Sequence, residues 1–154
     1  MTNALTIMRL QPLHNGHKMI IDQMLKQHKK VLLLIGSINK TDEKNPYSFE
    51  QRKEMVYQIY FNEIQKDQLI VKGIKDINNP PKWVSFVKQH MPFDVDTYYC
   101  GIDQDGYLFE KEGFKVKQFS RQEYPISGTN IRKKIKLNDT TWKQEVPKEI
   151  HHLI

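Results

Sequence analysis

Cysteine is almost missing from this chain: Cys100 stands alone among 154 residues, so an intrachain disulfide and a multi-cysteine zinc site are both excluded. At the end of an apolar segment it reads as a small buried side chain, not a nucleophile. Long apolar runs are also lacking. No stretch approaches the roughly 18 apolar residues that span a bilayer, and the first residues show no basic segment leading into a long apolar one. A cytoplasmic location without a membrane partner is therefore expected. Repeats, low-complexity tracts and linkers are lacking as well, and the length suits one compact unit, so a single domain over 1–154 is expected.

Hydrophobic residues make up 38% and charged residues 27%, the balance of a globular chain, not a disordered one. The formal charge of +6 favours anionic partners. Lys and Glu nevertheless alternate through much of the chain, which describes solvated faces, and no RNA-binding aromatic platform is apparent. Charge alone permits nucleotides, nucleic acid or acidic lipid, but the positive charge is not concentrated enough to argue for nucleic acid, and no nucleic-acid partner is expected.

Hydrophobic patterning alternates strand with helix. Ala4 to Met8 reads as a short buried strand, followed by the turn-like segment Gln11 to Gly16 and a helix from His17 to about Lys26. Val31 to Ile35 is a continuous apolar run, the pattern of a strand covered on both faces. After a polar loop from Gly36 to Tyr47, Ser48 with Gln51 three residues on forms a capping box that opens a second helix reaching Asn62 or Ile64. Strands are further expected over Gln68 to Ile74, Asp94 to Cys100 and Phe114 to Phe119. Helices are expected over Trp83 to Met91, Tyr107 to Glu112, Gly128 to Ile135, and Thr141 to Leu153 with a break at Pro147. This order implies an α/β fold, a five-stranded parallel sheet with helices on both faces, whose ligands bind beyond the carboxyl ends of the strands.

Two segments at such positions carry chemistry. Arg9 with His14-Asn15-Gly16-His17 sits where the first strand hands over to the first helix. Imidazoles three residues apart there can face one anion while helix N–H groups approach it, and Gly16 lets a flat ring or a phosphate come close to the backbone. A pair of surface histidines or a partial zinc site is the plainer alternative, although no third ligand stands at suggestive spacing. The second segment, Ile126-Ser127-Gly128-Thr129-Asn130-Ile131-Arg132, combines a small-residue turn, a helix start and an arginine one turn in. Exposed amides, the hydroxyls of Ser127 and Thr129, and Arg132 suit phosphate oxygens; a simple N-cap before a solvated basic helix is the alternative.

Arg9 to His17 and Ile126 to Arg132 together resemble the two signature motifs of the HxGH nucleotidyltransferase superfamily, and specifically the archaeal and phage-like nicotinamide mononucleotide adenylyltransferases. Ile35-Gly36-Ser37, Asn45-Pro46-Tyr47-Ser48 with Arg52, Lys75-Asp76-Ile77, Trp83-Val84, Pro92-Phe93-Asp94, Gly101 and Trp142 fall in the order of that family. Leu10, Leu13, Asn78 to Pro81 and Ile102-Asp103-Gln104-Asp105 depart from its pattern.

The resemblance implies a Rossmann-like nucleotidyltransferase domain that joins ATP, with magnesium, to nicotinamide mononucleotide and releases pyrophosphate. It places His14, His17 and Arg132 in catalysis. Arg9, Gln11, His14, Gly16, His17, Ser127, Thr129 and Arg132 would hold ATP, and Ser37, Arg52, Asp76, Trp83 and Gly101 the acceptor. No protein ligand to the metal is assigned, and a homo-oligomer is expected. Arg52 is open between the acceptor phosphate and a pairing with Glu50 or Glu54, Trp83 between ring stacking and the core, and Asp76 between orienting the acceptor and a strand-end turn. His28, His90, His151 and His152 read as surface or boundary residues, and Trp142 as packing. Competing readings are a superfamily relative with another acceptor (nicotinate mononucleotide, phosphopantetheine or glycerol phosphate) and a non-catalytic nucleotide-binding module.

Overall fold

A computed structural model describes residues 1–154 except Asp103, Arg121 and Tyr124. Five strands, β1 (Asn3–Met8), β2 (Lys30–Ile35), β3 (Leu69–Gly73), β4 (Thr97–Gly101) and β5 (Lys115–Phe119), form one sheet in the order β3-β2-β1-β4-β5. Every pairing is parallel, with Leu5 opposite Leu32 on one side and Tyr98 on the other. The chain winds outward from β1 to β3, then crosses back to β4. The sheet therefore changes winding direction between β1 and β4, and the crevice at their carboxyl ends is where such sheets bind ligands.

The strand alternation explains both cores. Val31, Leu33 and Ile35 face one side of β2, while Leu32 and Leu34 face the other. On the first face lie α1 (Asn15–Gln27), α2 (Phe49–Gln65) and α5 (Gly128–Lys136), through Ile21, Met24, Met55, Val56 and Ile131. The second face is covered by α3 (Pro80–Lys88) and α4 (Gly106–Lys111), through Val84, Val87 and Phe109. Cys100 is buried there, and burial followed by the charge of Asp105 pushes its thiol up to about 11. Among the described residues no helix is long and apolar enough to cross a membrane.

Several boundaries differ from the sequence reading for local reasons. Helix α1 begins two residues early because His14, not one of the usual capping residues, serves as its N-cap. Helix α3 starts at Pro80 with proline in its first turn, where the missing N–H costs nothing. The last segment splits at Pro147 into two 3-10 helices, Thr140–Gln144 and Lys148–Leu153, instead of α-helix. The Ser48–Gln51 capping box forms as expected, with both reciprocal bonds present. His28 corrects the boundary reading given to it. It is buried, and its ring nitrogens bond Thr2 Oγ1 at 2.7 Å and the Tyr99 hydroxyl at 2.8 Å.

Candidate active site

The two signature segments meet at the carboxyl end of β1. Arg132 Nη1 donates to the Gln11 carbonyl at 2.7 Å, and Nη2 reaches Thr129 Oγ1 at 3.3 Å. Gly128 makes this possible, since a Cβ there would lie 3.1 Å from Arg132 Nη1 and 3.3 Å from the Gln11 oxygen. On the other side, Ile126 would stand 3.7 Å from a Cβ at Gly16. Residues more than a hundred positions apart thus form one surface.

His14 and His17 form a capping box built from imidazoles. His14 Nδ1 accepts from the Gly16 amide at 3.1 Å and the His17 amide at 3.4 Å, while His17 Nδ1 accepts from the His14 amide at 3.1 Å. The rings stack with centroids 3.7 Å apart. Because each Nδ1 accepts, each ring proton belongs on Nε2, on the edge away from the backbone. Burial, and then the neighbouring His14, hold the His17 imidazole well below its ordinary value of 6.5.

This geometry revises how the first motif works. All four leading amides of α1 are taken: Asn15 donates to the Glu145 carbonyl, Gly16 and His17 to His14 Nδ1, and Lys18 to the His14 carbonyl. The helix end therefore carries imidazole rings in place of open N–H groups. Gly16 has a reason to be small within the fold itself: a Cβ there would sit 2.9 Å from His14 Cε1. The second motif differs. Ser127 Oγ caps the Asn130 amide at 3.3 Å, and the Gly128 and Thr129 amides bond to no other described residue. Open N–H groups at a helix start suit an anion, and here they belong to α5.

Among the described residues three arginines lie at this end. Arg9 is exposed and donates to the Lys44 carbonyl at 2.9 Å, and its charge is felt by both Arg52 and Arg132. Among the described residues the ion pairs are Lys18–Asp22, Lys40–Asp76 and Lys134–Glu145, so none of the three arginines has a carboxylate partner there. Arg52 is corrected on both sequence readings. It pairs with neither Glu50 nor Glu54, and it is fully buried, 0% exposed, which removes it from direct contact with an acceptor. Its Nη1 donates to the carbonyls of Arg9 at 2.8 Å and Gly36 at 2.7 Å, and its Nε to Ser48 at 3.2 Å. One planar fork thus ties the ends of β1 and β2 to the start of α2, placing a cation beneath the site. Gln11 has a structural partner as well: its buried carboxamide pairs with the Tyr47 backbone in both directions, at 3.0 and 2.9 Å, so it anchors the 36–47 loop.

Beside this region, a cleft of about 370 Å³ is lined by Asp76, Ile77, Asn78, Asn79, Pro80, Trp83, Gln104, Asp105, Tyr107 and Leu108. Trp83 packs against the second core and also forms part of the cleft wall. Asp76 reaches the loop instead of ending a plain turn: its Oδ2 accepts from Ser37 Oγ at 2.8 Å and lies 3.0 Å from Lys40 Nζ. Ser37, with φ +55°, is thereby a support for Asp76. Gly101 does not line the cleft. Its amide donates to Gln104 Oε1 at 2.8 Å, and that side chain covers it.

One contributor has no role assigned from sequence. Asp105 accepts from Trp83 Nε1 at 2.8 Å and from the Tyr98 hydroxyl at 2.7 Å. It belongs to the segment that departs from the family pattern, whose Asp103 lies outside the described residues; that departure was the available signal. Asn15 fastens the closing turns through the Gln144 and Glu145 carbonyls. Trp142 packs on the first core beside His151, as its sequence context suggests.

The profile of the cytidylyltransferase-like family matches residues 9–134, which includes both motifs. A nicotinamide-nucleotide adenylyltransferase of Methanococcus aeolicus is 34% identical, with 98% of this chain and 87% of that protein aligned. One from Thermococcus sibiricus is 29% identical over 96% and 80%. In fold, the chain matches a bifunctional NMN adenylyltransferase/ADP ribose pyrophosphatase from Francisella tularensis with a TM-score of 0.74 at 24% identity. That alignment covers 95% of this chain but only 45% of the bifunctional protein. By its profile and its full-length relatives, the chain belongs to the cytidylyltransferase-like family and, within it, to the nicotinamide-nucleotide adenylyltransferases.

Proposed function

We infer that this protein transfers the adenylyl group of ATP to the 5′-phosphate of nicotinamide mononucleotide, forming NAD and pyrophosphate. The observation that carries the reading is the meeting of the two motifs. Neutral imidazole donors, open α5 amides and arginines without a carboxylate partner among the described residues share one end of the sheet, beside a cleft walled by Trp83.

The chemistry follows from those groups. An acceptor phosphate oxygen attacks the α-phosphorus, the bond to the bridging oxygen breaks, and pyrophosphate leaves. No protein nucleophile is needed, so catalysis rests on positioning and on stabilising charge at the equatorial and leaving oxygens. His17 Nε2–H, with His14 Nε2–H beside it, would donate to the α-phosphate as it becomes pentavalent. Arg132, the α5 amides and Thr129 would hold the departing β- and γ-phosphates, with Arg9 at the rim and Arg52 adding positive potential from below. Magnesium fits this site as part of the substrate Mg–ATP, because the groups around the phosphates are cationic or neutral while the cation keeps water and phosphate oxygens as ligands. Trp83 would stack on the pyridine ring, with Asp76 at the adjoining wall.

An acceptor panel tests the reading. Purified chain with Mg–ATP is offered nicotinamide mononucleotide, nicotinate mononucleotide, phosphopantetheine and glycerol phosphate. The first is expected to give product; turnover confined to either of the last two would reassign the acceptor. Retained ATP binding with no product from any acceptor would favour a non-catalytic nucleotide-binding module. The cytoplasm is the matching compartment, and self-association, expected from the family, is checked by sedimentation of the purified chain.

A further inference from the structure

Asp105 is held by two neutral donors, Trp83 Nε1 on Oδ2 and the Tyr98 hydroxyl on Oδ1. Tyr98 is buried and stacks on Phe109 with centroids 3.9 Å apart, so its hydroxyl is a fixed post. Through Asp105, the half-buried Trp83 indole is tied to that post, which sets the plane its ring presents to the cleft. Charge adds a second consequence. Asp76, the other carboxylate on the described wall of the cleft, has Lys40 at 3.0 Å. Asp105 has no cation within ion-pair distance among the described residues, and no lysine, arginine or histidine belongs to the described wall. Its field reaches its neighbours: burial and then Asp105 hold the Tyr98 hydroxyl well above its ordinary value.

We propose that Asp105 is a positioning and specificity residue, fixing the Trp83 ring for the acceptor's pyridine and setting a negative charge beside it that favours nicotinamide over nicotinate mononucleotide. The pyridinium ring of either acceptor is cationic, but nicotinate adds a carboxylate, which a neighbouring unpaired carboxylate repels in a partly desolvated cleft. The inference rests on the adenylyltransferase reading above and names which acceptor that site selects.

Kinetic constants for both acceptors in the wild type, D105N and D105E test it. The wild type should prefer nicotinamide mononucleotide in kcat/KM by on the order of tenfold or more. In D105N, KM for that acceptor should rise roughly tenfold with kcat held within about threefold, while nicotinate is unharmed or improved, so that the preference collapses. D105E keeps the charge and should keep the preference. A support without a charge role would depress both acceptors alike. If D105N does not fold, W83F carries the test: it removes the N–H but keeps ring and carboxylate, so KM should rise for both acceptors with the preference retained. Equal losses for both acceptors in D105N, a preference that vanishes in W83F, or a wild type that uses both equally would each overturn the role of Asp105 while leaving adenylyl transfer in place. A wild type that adenylates neither mononucleotide would overturn the underlying reading and this one with it.

Discussion

His14 and His17 each accept the other's backbone N–H on Nδ1, at 3.4 and 3.1 Å, with their rings stacked 3.7 Å apart. One arrangement therefore caps α1 and fixes which nitrogen of each ring is the donor. The two roles separate by substitution. His14→Asn places a carboxamide oxygen where Nδ1 was, a favoured cap, but cannot supply the distant Nε2–H. It should melt near the wild type while turnover falls on the order of 10²-fold. His17→Ala should lose turnover on the same scale and also about 1 kcal/mol of stability, read by denaturant unfolding. Near-normal turnover in either variant would remove that imidazole from the reaction.

Gly16→Ala tests the close approach of that glycine to the His14 ring. Its Cβ would press on the His14 ring at 2.9 Å, so the ring must turn and the donors must move. Turnover should fall at least tenfold, since small displacements of positioned groups cost that much or more. A larger rise in KM for ATP with kcat unchanged would instead return Gly16 to a binding role.

Arg52 is predicted to matter for folding first. Arg52→Ala removes donors to three carbonyls, those of Arg9, Gly36 and Ser48, and should cost about 3 kcal/mol or more in urea unfolding. Arg52→Lys should recover little of it, because an ammonium lacks the planar fork. A lysine variant as stable as the wild type would show that charge alone suffices there.

Stability should also depend on pH. Burial, ahead of other causes, lowers both His17 and His28 from an ordinary value of 6.5. As pH falls below that value the unfolded chain takes up protons that the folded chain does not, so stability present above 6.5 is lost toward the lower folded values. The Tm should drop as pH is lowered through this range, and His28→Gln should flatten the slope. A flat Tm in the wild type across the same range would contradict these environments.

How legible all this was depends on whether a residue's role is local. The continuous run Val31 to Ile35 announces a strand buried on both faces, and the Ser48–Gln51 capping box appears as written, because both are short-range patterns. The two motifs were legible as candidates, and the fold brings them together through Gln11 and Arg132. Other roles depend on partners far along the chain. Arg52 reads as a ligand contact until the Gly36 carbonyl claims it, and the pairing of Gln11 with the Tyr47 backbone has no local sign. Asp105 carries no local signal beyond breaking the family pattern, because its importance comes from Trp83 and Tyr98 in other elements.

The most direct test of adenylyl transfer follows the α-phosphorus of ATP. Purified protein with nicotinamide mononucleotide, magnesium and ATP labelled at that position should move the label into NAD, one for each pyrophosphate released, with none attached to the protein. Label retained in ATP, released as free AMP, or bound covalently to the chain would contradict direct attack at a site built on His14 and His17.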